Sequence, residues 1–357
     1  MAGGAETDDV VAVDRGEVGA LCLAALDTAG ASRRVAELLT EAALFAEDRG
    51  KAVVGVAHLL DHVDAMDDGR LDGRAVPRIS RPSPAVTTSD ARGGIAHTGF
   101  DEGFAGLVAA ARRYGVAVFA QHGSFTCGQL GWFTERLAAG GLVAVATAVS
   151  PAVLAAGPGT GRVFGTNPMA YSVPRAGRPP FTVDQAASST AFVSVREAAA
   201  RGTHLPEGWA VDDDGRPTTD PEAALTGALL PFGGYKGANI ALLVELLSSM
   251  AGGHWSMDAP PWDSGSRPPS IGMFVLAVDH SAFGPAFPAR ADEHLERLAG
   301  SGVRLSGSRR TESPAVPDGY LPLRADVLVA LRRRAGSATT AGSPERPSSG
   351  EAPLKGA

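Results

Sequence analysis

The run from Gly227 to Gly237, Gly-Ala-Leu-Leu-Pro-Phe-Gly-Gly-Tyr-Lys-Gly, leads straight into Ala238 to Leu247, where Ile240, Leu243, Val244 and Leu247 recur at helical spacing. A chain written this way must turn sharply on its glycines and then enter a helix. Gly233, Gly234 and Gly237 let backbone N–H groups approach a ligand closely, and the helix start behind them carries partial positive charge. Lys236 adds a full cation. The arrangement suits a phosphate or a carboxylate, hence a nucleotide or a small organic acid. The same residues would also serve as a tight strand-to-helix turn with a solvated lysine.

A second run narrows the choice. Gly165-Thr166-Asn167-Pro168 follows a loop rich in Gly and Pro, from Ala155 to Arg162, and precedes the strand-like Met169 to Val173. With Leu205 to Ala210, Asp214 to Pro221 and the glycine–lysine turn it forms an ordered series. That series resembles the malate/L-lactate dehydrogenase family of the non-Rossmann type, and the resemblance extends from about Asp14 to Arg334. It implies a mixed sheet of non-Rossmann topology flanked by helices, with a helical domain built from both chain ends. It further implies reduction of a C=O or C=N bond beside a carboxylate by hydride from NADH or NADPH, in a homodimer. Gly165, Thr166, Asn167, Pro168, Ser188, Gly233, Gly234, Lys236 and Gly237 would then line the dinucleotide site. The resemblance gives no basis for choosing between the two cofactors.

Composition agrees with an ordinary globular chain of 357 residues, 44% hydrophobic and 20% charged. A net charge of −7 argues against a nucleic-acid or anionic-membrane surface, and no run approaches the ~20 apolar residues of a membrane span. Two cysteines, Cys22 and Cys127, are too few for a disulfide framework, and no charged-then-apolar leader is present; a cytoplasmic protein is expected. Alternating patterns predict an α/β protein. Strands are expected at 116–120, 142–147, 169–173, 181–184 and 271–278, and helices at 104–114, 132–139, 291–298 and 325–331. The pattern leaves a disordered start at 1–12 and a disordered tail at 336–357, and between them the resemblance implies a helical domain of 13–75 with 285–335 and an α/β cofactor-binding domain at 76–284. The Pro-rich stretch from Val76 to Pro84 reads as a linker or surface loop.

Against this background the acid–base residues are missing. The reaction needs a proton donor at the receiving heteroatom, for which histidine is suited. The family places one in a Ser-His-Gly-x-x-Arg run whose arginine grips the substrate carboxylate. Aligned here, Val53 stands at the serine, Val54 at the histidine and His58 at the arginine. A second family histidine lies in Ser-x-His-x-Gly, here Ser124-Phe125-Thr126-Cys127-Gly128, so Thr126 occupies its place. His122, Ser124 and Thr126 would share one strand face and could replace the lost groups, although His122 also reads as a plain strand-end histidine. Asp184 matches a family aspartate and, lacking its histidine partner, could itself act as base or serve structurally. His58, with Val54 and Cys127, would border the substrate; His58 could hold an anion weakly. The His58/His62 spacing could bind metal but has no third ligand in the sequence, so no metal site is expected. Cys127 reads mainly as a packing residue. The expected activity is an NAD(P)H-dependent reduction of a 2-oxo acid, ketone or cyclic imine of a specialised metabolite with altered acid–base residues. The alternatives are a scaffold redirected to cyclisation or elimination, or a silent binding protein.

Overall fold

The computed structural model describes residues 10–305 and 316–336. The expected disorder at 1–9 and 337–357 lies outside the described residues. Strands and helices in chain order are β1 (Val10–Asp14), α1 (Arg15–Thr28), α2 (Arg33–Glu47), α3 (Val56–Asp67), β2 (Arg78–Ser83), β3 (Val86–Asp90), α4 (Ala96–Tyr114), β4 (Val116–Ser124), α5 (Gly131–Ala139), β5 (Val143–Ala148), β6 (Leu154–Ala155), β7 (Arg162–Phe164), β8 (Met169–Arg175) and β9 (Arg178–Gln185). They continue with α6 (Phe192–Arg201), β10 (Ala210–Val211), β11 (Pro217–Thr218), α7 (Pro221–Thr226), β12 (Ala228–Leu229), α8 (Tyr235–Ser248), β13 (Ile271–Val278), α9 (Phe287–Gly300), β14 (Tyr320–Arg324) and α10 (Ala325–Arg334).

The main sheet has seven strands in the order β2-β3-β4-β13-β5-β8-β9. Only β3 and β4, joined through α4, run parallel; the other neighbours are antiparallel. A dinucleotide fold of the doubly wound kind needs parallel strands with crossovers on both faces, so this topology is a different one. On one face of the central strands Phe119, Ala144, Ala146, Met273, Val275 and Ala277 are all buried, while Phe274 and Leu276 on the other face are half-buried. α4 and α5 cover one face through Phe100, Leu107, Trp132 and Phe133. A smaller five-stranded sheet, β11-β10-β12-β6-β7, encloses its own cluster around Leu154, Val195, Leu229 and Ala241.

The first and last described elements meet: β1 pairs antiparallel with β14, and α10 packs on α1 and α3. Residues 10–12, expected to be disordered, are therefore a strand, stabilised by a partner more than three hundred residues away that local composition cannot reveal. Three other expectations need correction. Val76 to Pro84 contains β2, at the edge of the large sheet, where Pro82 removes no ladder hydrogen bond on the solvent side. Helix α9, assigned by sequence to the helical domain, packs on β8 of the sheet instead and is fastened there by Arg175–Asp292 and Arg178–Glu296. α4 also starts eight residues before the expected Phe104. Gly99 and Gly103 look like breakers in a helix, yet a Cβ at Gly103 would stand 2.9 Å from the Phe119 ring, so the glycines serve close packing of helix on sheet.

Candidate active site

The strand ends at one edge of the large sheet gather the residues singled out by sequence. Registers place His122 beside Asp90, Ser124 beside Ile271, Thr147 beside Met169, and Ala170 beside Asp184. Asn167 and Pro168 immediately precede β8, and the loop 125–130 leaves β4 at this edge and ends at α5.

Asn167 is the hub of the dinucleotide-side loops. Its backbone is left-handed at φ 38°, a conformation that asparagine tolerates. Its Nδ2 donates to Ala241 O at 2.9 Å and Glu245 Oε2 at 3.1 Å, and its Oδ1 accepts from Ser256 Oγ at 3.3 Å. Buried Glu245 also accepts from the Ser256 backbone at 2.9 Å. The side chain of Asn167 is thus consumed inside the protein, tying the 165–168 turn to α8; any ligand contact from it comes through backbone. Gly165 must be glycine, since an added Cβ would lie 2.2 Å from Ser150 O. Thr166 is anchored by its N–H donating to Ser150 Oγ at 2.9 Å.

Ser188 and the glycine–lysine turn come together through a bridge between Ser188 and Pro231 and a bond from Phe232 N–H to Ala187 O. Gly233 and Gly234 both take positive φ, 59° and 65°, and Gly234 caps α8 without a side-chain bond. The first α8 N–H groups and exposed Lys236 therefore face outward as donors. A Cβ at Gly237 would meet Phe232 O at 2.1 Å, which fixes this turn against the helix. Ser188 Oγ is shielded from solvent yet has no protein partner. An orphaned hydroxyl beside unpaired helix N–H groups and a cation fits the phosphate and ribose chemistry of a dinucleotide.

On the other side of the edge the residues divide differently from expectation. His122, Ser124 and Thr126 do not converge, because Gly123 takes φ 71° and breaks the strand alternation. His122 Nε2 lies 3.7 Å from Asp90 Oδ1, half-exposed. Ser124 is buried and accepts from Gln121 Nε2 at 2.7 Å. Cys127 is in the core, its thiol pushed up to about 12 by burial, which corrects its placement beside the substrate. Thr126 turns instead to α3, with its Oγ1 3.0 Å from His58 Nε2 and 3.0 Å from His62 Nε2. Asp61 Oδ2 sits 3.0 Å from His58 Nδ1, and His62 Nδ1 sits 2.6 Å from His58 O. Trp262 closes over His58 edge-to-face at 5.5 Å.

Asp184 accepts from Gly131 N–H at 2.7 Å, at the start of α5. Burial raises its carboxyl to about 6, opposed by that hydrogen bond and by the Lys51 ammonium. Lys51 precedes the 3₁₀ turn Ala52–Val54, so the turn carrying Val54 lies near Asp184. Under the same turn, Glu47 Oε1 accepts from Val56 N–H at 2.8 Å. Sequence reasoning missed Asp61, Lys51 and Glu47. Asp61 had a readable signal, one helical turn from His58.

Comparison with known proteins decides the family. The malate/L-lactate dehydrogenase profile matches residues 13–313. The chain belongs to the malate/L-lactate dehydrogenase family. It is thereby an oxidoreductase by descent. The (2R)-3-sulfolactate dehydrogenase (NADP(+)) of Chromohalobacter salexigens is 36% identical over 82% of this chain and 89% of its own length. The Δ1-pyrroline-2-carboxylate/Δ1-piperideine-2-carboxylate reductase of Pseudomonas putida is 36% identical over 85% of this chain and 91% of its own. Among solved structures, the Δ1-piperideine-2-carboxylate reductase of Pseudomonas syringae pv. tomato superimposes with a TM-score of 0.81 at 31% identity, covering 92% of this chain and all of that one. The mixed, non-Rossmann sheet expected for the family is the one observed here.

Proposed function

We propose that the protein is an NAD(P)H-dependent reductase of a C=O or C=N bond in a small specialised metabolite, working with an acid–base set unlike its relatives'. The observation that carries this reading is the orphaned Ser188 hydroxyl beside the Gly233–Gly234 turn, the open α8 start and Lys236. Gly165, Thr166 and Pro168 supply backbone to the same pocket, and Asn167 holds that backbone in place. A bound reduced nicotinamide supplies the hydride. The protein's part is to hold the dinucleotide phosphates on N–H groups and a lysine, to keep Asp184 near the Val54 turn, and to deliver a proton to the receiving heteroatom. The names of the relatives, which act on sulfolactate and on cyclic imine carboxylates, support a small organic acid or imine as substrate.

An apolar stripe on α8, Leu242, Leu243 and Leu246, continues into Met250 and is left exposed in the single chain. A second copy covering it would complete a homodimer. Two buried, unpaired cysteines suit a reducing compartment such as the cytoplasm. The test is a fluorescence titration of purified protein with NADPH and NADH, followed by loss of nicotinamide absorbance with Δ1-piperideine-2-carboxylate and simple 2-oxo acids. Saturable binding of at least one nucleotide is expected. No binding of either at millimolar concentration refutes the reading.

A further inference from the structure

We propose that His58, held between Asp61 and Thr126, stores the proton for the reduction and passes it through the Thr126 hydroxyl to the substrate heteroatom. The proposal rests on the reductase reading above, but its argument is a hydrogen-bond ledger among four side chains. His62 Nδ1 lies 2.6 Å from His58 O, and a carbonyl only accepts, so Nδ1 carries the hydrogen. Burial keeps His62 neutral, with its affinity for a second proton well below the ordinary value. Its Nε2 is then bare and can only accept. Thr126 Oγ1, 3.0 Å away, must give its one hydrogen to that nitrogen. The hydroxyl oxygen is left as an acceptor facing His58 Nε2 at 3.0 Å, which therefore carries a hydrogen. His58 Nδ1 faces the Asp61 carboxylate at 3.0 Å and donates as well. All four contacts are satisfied only when His58 is the imidazolium. With His58 neutral, Thr126 has one hydrogen for two bare nitrogens, or His58 turns a lone pair on a carboxylate.

The surroundings suit a proton store that is refilled from outside. Asp61, on the same helix, keeps 39% of its side chain exposed and links His58 to solvent. The charged and titratable groups that face this imidazole are Asp61 and His62 from α3 and His97 from α4. His97 is buried and held neutral, down to about 3, by burial first and then by the His58 and Arg136 charges. Arg70 fixes the segment above by donating to Trp262 O. Thr126 occupies the place of the family's loop histidine and His58 that of its arginine, so an imidazole has moved from the loop to the helix facing it.

The step balances. A bound reduced nicotinamide would supply the hydride to the carbon; the Thr126 hydroxyl turns from His62 Nε2 to the bound substrate and gives its proton to the oxygen or nitrogen there, while Thr126 Oγ1 takes the His58 Nε2 proton and can then donate to His62 again. The products are the alcohol or amine, the oxidised nucleotide and neutral His58, which regains a proton from water by way of Asp61. Asp61 and His62 are positioning residues: one orients the imidazole, the other holds the hydroxyl between turnovers so that its oxygen faces His58.

The test uses full-length protein with NADPH and two probes, Δ1-piperideine-2-carboxylate and Δ1-pyrroline-2-carboxylate. His58→Gln and Thr126→Val are each expected to lower kcat by about a hundredfold or more, with NADPH titration unchanged. Asp61→Asn is expected to lower kcat about tenfold and to move the pH profile of kcat, which a packing role would not do. Nitrogen-15 spectra of histidine-labelled protein near neutral pH should show one ring protonated on both nitrogens, lost in His58→Gln, and one neutral ring protonated at Nδ1, lost in His62→Gln. Turnover by His58→Gln and Thr126→Val within about twofold of the parent overturns the proposal and leaves the reductase reading standing. If the signals assigned to His58 and His62 by their loss in the two variants both come from neutral rings, the proposal is overturned whether or not either probe is reduced. Failure to bind NADPH or NADH overturns the reductase reading, and the delivery step falls with it.

Discussion

Glu47 offers a prediction whose size follows from the structure. It ends α2 beneath the Ala52–Val54 turn, 4% exposed, and caps the start of α3 by accepting from Val56 N–H at 2.8 Å. Burial raises its carboxyl from 4.5 to about 7; the Val56 hydrogen bond opposes the rise and Asp48 adds to it. The folded protein therefore binds this proton more tightly than the unfolded chain does. Its contribution to stability is fully present below pH 4.5 and is lost as pH rises to about 7. At ~1.4 kcal/mol for each tenfold change in proton affinity, the gap is worth ~3 kcal/mol. Glu47→Gln keeps the shape and the accepting oxygen but cannot ionise. Denaturant unfolding of parent and variant, at a pH below 4.5 and again above about 7, should show their stability difference moving by ~3 kcal/mol in favour of glutamine at the higher pH. The comparison cancels every other titrating group. A difference that stays constant across that window would refute the claim that a buried, desolvated carboxylate sits under this turn.

Two further changes probe the dinucleotide side. Asn167→Ala leaves Glu245 with only Ser256 as partner and removes the tie from the 165–168 turn to α8; a loss of ~3 kcal/mol in denaturant unfolding and a weaker NADPH titration are expected. Gly234→Ala places a side chain at φ 65° and ψ −132°, costing ~1–3 kcal/mol and raising the NADPH Kd about tenfold, while Gly161→Ala, which meets open space, leaves the same titration unchanged.

The parts of this protein legible in its sequence were those written in local pattern. The glycine–lysine turn, the helix behind it and the apolar strands of the sheet centre follow from periodicity and backbone chemistry, and they are where expected. What escaped depends on distant partners. β1 exists because β14 pairs with it. β2 exists because an edge strand tolerates proline. The first two turns of α4 hid behind Gly99 and Gly103, which are there for the closeness of the sheet. That the Asn167 side chain is a strut is equally hidden, since nothing in Gly-Thr-Asn-Pro announces that Glu245 waits inside α8.

The acid–base residues show why transferring roles by alignment stops short. On the register expected from the sequence, the family's histidines would fall at 54 and 126 and its arginine at 58, where this chain has valine, threonine and histidine. Helix α3 begins at Val56, and from that start His58, Asp61 and His62 fall at i, i+3 and i+4, on one face. That face is turned toward the loop residue whose histidine is gone, at 3.0 Å from its hydroxyl. A threonine there is short enough to admit an imidazole from the opposite side, and a histidine there would compete with His58 for the same space. On the proposed route, a threonine at 126 and imidazoles at 58 and 62 thus belong to one geometry. On this account Thr126→His cannot simply restore the family pattern, because the two remaining imidazoles already meet at that point.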